Sequence, residues 1–119
     1  MANDFKRIAT PNISNSSNTT IYAVPAGSSS SALESIVIGI TAANKTSSGV
    51  TVDIFIDNED GSNDVYIVKG ASIPAGASLE VMSGNKLVLQ NDGTNGDNLE
   101  ALCSAASSLD VTVSVLEDV

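Results

Sequence analysis

Six carboxylates fall in two stretches rich in Asn and Gly: Asp57, Glu59, Asp60 and Asp64 in one, Asp92 and Asp97 in the other. Clustered side-chain oxygens are what calcium takes, roughly six to eight at a time. Neither stretch has the spacing of a helix–loop–helix calcium site, and Asp, Asn and Gly are also the residues that tight turns require. Turn chemistry is the favoured reading, and no metal or other cofactor is expected. The sequence contains no His, so neither an imidazole-bearing triad nor a Cys/His metal set can be assembled. A Ser or Thr hydroxyl beside Lys45, Lys69 or Lys86 is the remaining hydrolytic pairing. Glu34, Glu80, Glu100 and Asp110 fall on separate elements, and nothing in their spacing brings two together for acid–base work. The single Cys103 alternates with Leu99 and Ala101 and reads as a small buried residue rather than a nucleophile. The expectation is a chain that is not an enzyme and has no catalytic residues.

The elements around these residues are written in two-residue alternation: Ile36, Ile38, Ile40; Val50, Val52, Ile54, Ile56; and Leu109, Val111, Val113, Val115. Period two puts one face of an extended segment in a core and the other toward water. Further strands are expected over 5–10, 19–24, 64–69, 78–82, 86–90 and 99–104. Gly39 suggests a bulge or a close neighbour. Asp60-Gly61 is a hairpin signal that makes the strands on either side antiparallel neighbours. Pro25-Ala26-Gly27 and Pro74-Ala75-Gly76 read as corners where the chain crosses between sheets. Short strands at this spacing, with no helical period, give an all-β fold: a single antiparallel β-sandwich, jelly-roll or Ig-like, with an N-terminal extended arm. Residues 1–18 form that arm, and residues 19–119 the sandwich domain. Phe5, Ile8 and Ile13 are the arm's apolar anchors and the candidate partner-contacting residues. They dock either on their own domain or on a neighbour in an assembly, and deletion of residues 1–17 is expected to abolish incorporation into that assembly while leaving the fold intact.

A chain of 119 residues holds one domain and buries a core without staples. With 14 acidic and 5 basic side chains the formal net charge is −9, which disfavours nucleic acid as a partner. No run approaches the ~18 apolar residues of a membrane helix, so no membrane role is expected. The polar start Met1-Ala2-Asn3-Asp4 has no apolar stretch after it of the kind a secretory signal carries, which points to a cytoplasmic origin. Asn12-Ile13-Ser14 and Asn44-Lys45-Thr46, among other such triplets, match the glycosylation pattern and read as exposed loops. Two Phe, two Tyr and no Trp leave few platforms for stacking on sugar.

Taken in order, Ile21-Tyr22-Ala23-Val24-Pro25-Ala26-Gly27, residues 36–52, and Tyr66-Ile67-Val68-Lys69-Gly70-Ala71-Ser72-Ile73-Pro74-Ala75-Gly76 form one half of a pattern. Lys86-Leu87-Val88-Leu89-Gln90, Ser104-Ala105-Ala106-Ser107-Ser108-Leu109-Asp110-Val111 and Ser114-Val115-Leu116-Glu117 form the other. Over about residues 21–117 this resembles small virion structural proteins of tailed bacteriophages, especially those of marine and cyanobacterial hosts. The resemblance implies a non-catalytic β-sandwich subunit of the virion, assembled in the host bacterial cytoplasm. Its implied partners are the major capsid protein or other virion proteins, with homo-oligomers in the particle. The expected role is capsid decoration or cement on the head lattice. The alternatives are a neck, tail or fibre-adaptor component, and a soluble module that binds glycan or a host surface through residues 58–63 and 91–98.

Overall fold

A computed structural model describes residues 3–27, 29, 32–57, 64–82 and 86–118, with the side chains of Asn3 and Asp118 excepted. The described residues form nine strands: β1 (Asn3–Thr10), β2 (Thr19–Ala23), β3 (Leu33–Asn44), β4 (Val50–Asp57), β5 (Asp64–Ile73), β6 (Ser78–Glu80), β7 (Leu87–Asn91), β8 (Asn98–Cys103) and β9 (Leu109–Asp118). One sheet runs β1-β9-β3, with β6 and β7 both on the far side of β3; the other runs β2-β8-β4-β5. All these pairings are antiparallel. The first strand pairs with the last, β2 with β8, β3 with β6 and β7, and β4 with β5. That is a long hairpin rolled onto itself, with β6 and β7 sharing one strand position, so the sandwich is a jelly roll rather than Ig-like.

Alternation carries the core on β4, β8 and β9. Val50, Val52 and Ile54 point inward on β4, Leu99, Ala101 and Cys103 on β8, and Leu109, Val111, Val113 and Val115 on β9. Cys103 is a buried free thiol. Phe55 is also buried but stands outside this cluster, packed against the Tyr66 ring with centroids 5.1 Å apart.

β3 departs from the expected phase. Its inward residues are Leu33, Ser35, Val37, Ile40, Ala42 and Asn44, not the series Ile36, Ile38, Ile40. The register slips between Val37 and Gly39, so the inward set changes from odd to even numbers at a bulge. One extra residue in a strand inverts every side chain beyond it. Gly39 does mark the bulge, but Ile36 and Ile38 lie on the outer face.

The N-terminal segment is part of the sandwich. Residues 3–10 pair in unbroken register with β9, from Asn3 opposite Asp118 to Thr10 opposite Val111. Beyond Pro11 the chain turns inward: Ile13 is 0% exposed, its N–H donates to Leu109 O at 2.9 Å, and Ser14 O accepts from the Cys103 N–H.

Both Pro-Ala-Gly corners carry the chain from one sheet to the other, β2 to β3 and β5 to β6. The second turns through Gly76 at φ 69°, closed by Ala77 N–H on Pro74 O. β4 and β5 are antiparallel neighbours as expected, while Asp60-Gly61 itself lies outside the described residues. Near the first corner, Asn91 Nδ2 donates to Val24 O at 2.8 Å, and Gly96 packs against that bond. A Cβ on Gly96 would sit 2.5 Å from Asn91 Nδ2 and 2.9 Å from Val24 O. The backbone oxygen cannot yield, so Gly96→Ala is expected to cost about 1–3 kcal/mol. Gly39→Ala meets nothing within 4 Å and serves as the control. Equal urea midpoints for the two variants would contradict this reading.

Candidate functional site

Two features of the sheet β1-β9-β3-β7 stand out: the open seam beneath its β1 edge, and its outer face. At the seam, β1 and β2 are the free edges of opposite sheets. Between them lies a groove of about 370 Å³, lined by Ile8, Ile21, Tyr22, Pro25, Lys6 and Glu117 among others. Glu117 continues the inward phase of Leu109, Val111, Val113 and Val115, so a carboxylate stands where another Val would fit. Tyr22 O–H donates to Glu117 Oε2 at 2.5 Å and shares a 2.7 Å bond with Ser35 Oγ. The Lys6 ammonium lies 3.0 Å from Glu117 Oε1, with its own side chain 47% exposed and that of Glu117 only 2%.

This network is electrostatically coherent. Close contact with the Glu117 carboxylate, then that carboxylate's charge, holds the Lys6 ammonium above its ordinary 10.5. Burial first, and the bond to Glu117 second, push the Tyr22 phenol above its ordinary 10.0. Ser35, Tyr22 and Glu117 are all buried, and only Lys6 meets solvent. With these groups buried and bonded to one another, the network reads as a clamp from β9 to β1 and β2. Sequence reasoning missed it because Tyr22 and Glu117 are 95 positions apart. The available signal was a Glu in phase with four inward apolar residues.

The outer face is apolar along one row. Phe5 is opposite Leu116, Leu116 opposite Ile36, and Ile36 opposite Val88. Phe5 is 74% exposed and Val88 55%, while Leu116 and Ile36 are half-buried between them. Ile38, bulged beside this row, is 43% exposed. Across the row, Glu34 with Gln90 lies to one side, and Arg7 with Ser114 to the other. Lys86, also exposed, directly precedes β7 on the Arg7 side.

The three anchor residues of the N-terminal segment thus separate. Phe5 belongs to the outer row, and Ile8 lines the seam. Ile13 is buried in the chain's own core.

Other candidate chemistry resolves into structure. Asp92 Oδ1 accepts the N–H groups of Asn95 and Thr94, and these bonds hold its carboxyl below the usual range. Asp97 Oδ2 accepts Gln90 N–H. Burial, then the charges of Asp57 and Asp64, pushes the Glu100 carboxyl up. Among the described residues no group of three or more metal-ligating side chains converges, and Glu59 and Asp60 lie outside them. Lys45 Nζ is held by Asn12 Oδ1 at 2.6 Å and Asp110 at 3.0 Å, and Lys69 Nζ lies 4.3 Å from the Tyr66 ring centroid. Asn44 is buried, donating to Ser48 O and Ile73 O, so its triplet is not an exposed loop. No described helix is long and apolar enough to cross a membrane.

The chain matches no family model and no curated protein. Among solved structures it is similar to a Bacillus endospore appendage from a family of disulfide-linked pili. That match covers 98% of this chain and 85% of the other, at 15% identity and a TM-score of 0.46. Similarity to a structure of infectious bursal disease virus, Gx strain, covers 98% of this chain and 37% of that one, at 11% identity and TM-score 0.46. Similarity to the STIV MCP covers 93% and 48%, at 16% identity and TM-score 0.29. At these TM-scores the roles of those proteins do not transfer to this chain.

Proposed function

We propose that this chain is a non-enzymatic virion structural subunit of a tailed bacteriophage, a decoration or cement protein that attaches to the head lattice in many copies. The observation that carries the reading is the apolar row Phe5, Leu116, Ile36 and Val88 across the outer face of one sheet. Burying a side chain such as Phe5 is worth about 1.5–3 kcal/mol, so a face of this kind favours being covered by protein. Jelly rolls serve as capsid, lectin and cupin domains. The absence of Trp and of His from the sequence speaks against sugar stacking and against cupin-type imidazole ligation. A formal charge of −9 keeps the uncovered remainder soluble.

Quantitative mass spectrometry of purified particles from a phage carrying this gene tests the assignment. Copies in proportion to the major capsid protein are expected. A handful per particle would move the chain to the neck, tail or fibre adaptor. Complete absence would overturn the virion reading and favour a soluble binding module, to be probed on a glycan array.

A further inference from the structure

We propose that the outer face of β1-β9-β3-β7 pairs with the same face of a second copy, the two sheets packing with their strands antiparallel across the apolar row. This deepens the assembly reading by naming a partner. It is testable on the isolated chain, where it can fail while incorporation into particles succeeds.

Charge selects the geometry. Glu34 lies one side of the row, and Lys86 and Arg7 lie on the other. Among the described residues none of the three has an ion-pair partner within its own chain. A two-fold axis along the row, perpendicular to the strands, lays apolar row on apolar row and reverses the strand direction. Glu34 of one copy then comes beside Lys86 of the other, twice by symmetry. An axis parallel to the strands would set the Glu34 side against itself, which like charge opposes. Facing sheets pack about 10 Å apart with strands within roughly 30° of each other, a separation that Glu and Lys side chains can bridge.

Size sets the affinity. Four strands spaced about 4.8 Å and three outward positions spaced roughly 6.7 Å make a patch of about 400 Å². A stable complex covers about 800 Å² per partner, so the pair is weak, with Kd in the micromolar range or above. Each copy carries a formal −9, so long-range repulsion opposes association and salt screens it. Dimerisation therefore strengthens with added salt.

Sedimentation velocity over a concentration series, at low and at moderate NaCl, is the test. A concentration-dependent dimer favoured by salt is expected. Val88→Asp should weaken it at least about tenfold without moving the melting temperature, because Val88 is exposed. Glu34→Lys should weaken it as well, and Glu34→Lys combined with Lys86→Glu should restore it. A chain that stays monomeric at millimolar concentration in salt would overturn the proposal. So would a dimer indifferent to Val88→Asp, and indifference to the charge swap would overturn the antiparallel pairing.

Discussion

Deleting residues 1–17 is expected to abolish cooperative unfolding and leave an unfolded or molten chain. Ile13 is wholly buried, and loss of such a side chain costs about 2–5 kcal/mol. The deletion also removes the whole β1 ladder on β9 and the Ser14 carbonyl that accepts Cys103 N–H. It takes Lys6 from the buried Glu117 carboxylate as well. Stranding a buried charge costs about 3–5 kcal/mol, discounted to about 1–2 because Lys6 is half exposed. A domain of this size has about 5–15 kcal/mol in all, and these losses consume most of it. Ile13→Ala alone should lose about 2–4 kcal/mol in urea unfolding, while Phe5→Ser, at a side chain 74% exposed, should stay within about 0.5 kcal/mol. A truncated chain that melts sharply near the full-length temperature would show that the N-terminal segment is an independent arm.

Tyr22→Phe is expected to cost about 1.5–3 kcal/mol at neutral pH, the range for a hydrogen bond to a charged group. The change strips Glu117 Oε2 of its donor and Ser35 Oγ of its partner. It should also alter the response to alkali. In the folded state Tyr22 is held above 10.0 and Lys6 above 10.5, so both keep their protons where the unfolded chain loses them. A raised pKa gives stability that is full below the unfolded value and falls as pH rises through the folded one. The window therefore opens near pH 10, with a slope of about 1.4 kcal/mol per pH unit for the Tyr22 proton. Lys6 adds a smaller share because solvent screens it. Urea unfolding from pH 7 to 11.5 reads this out, and Tyr22→Phe should flatten the alkaline limb. An unchanged limb in that variant would remove Tyr22 from the titration.

The strands were legible where a sheet buries one face and leaves the other polar. β9 is the clearest case: Leu109, Val111, Val113 and Val115 face inward, with Asp110, Thr112 and Ser114 between them. On β3 the alternation points to the wrong phase because the strand is apolar on both faces. Ile36 belongs to the outer row with Ile38 beside it, Val37 and Ile40 belong to the core, and a one-residue bulge joins the two phases. Alternation reports that a face is apolar and leaves open which face it is. Ile13 reads as part of an arm because its neighbours are Asn and Ser, although one apolar residue is enough to pin a loop into a core. The clamp at Glu117 depends on residues brought together by the first, second, third and last strands, and such long-range pairing has no local signature. The outer row was hidden for the same reason, since it draws one residue from each of four strands.

On the proposed function, the outer face of β1-β9-β3-β7 is covered by a neighbouring subunit in the assembled particle. The most direct measurement is a cryo-EM reconstruction of the assembled particle at side-chain resolution. The expected result is density for this chain with Phe5, Ile36 and Val88 buried against a neighbouring subunit. A particle in which that face meets solvent while the chain is held through the opposite sheet would contradict it.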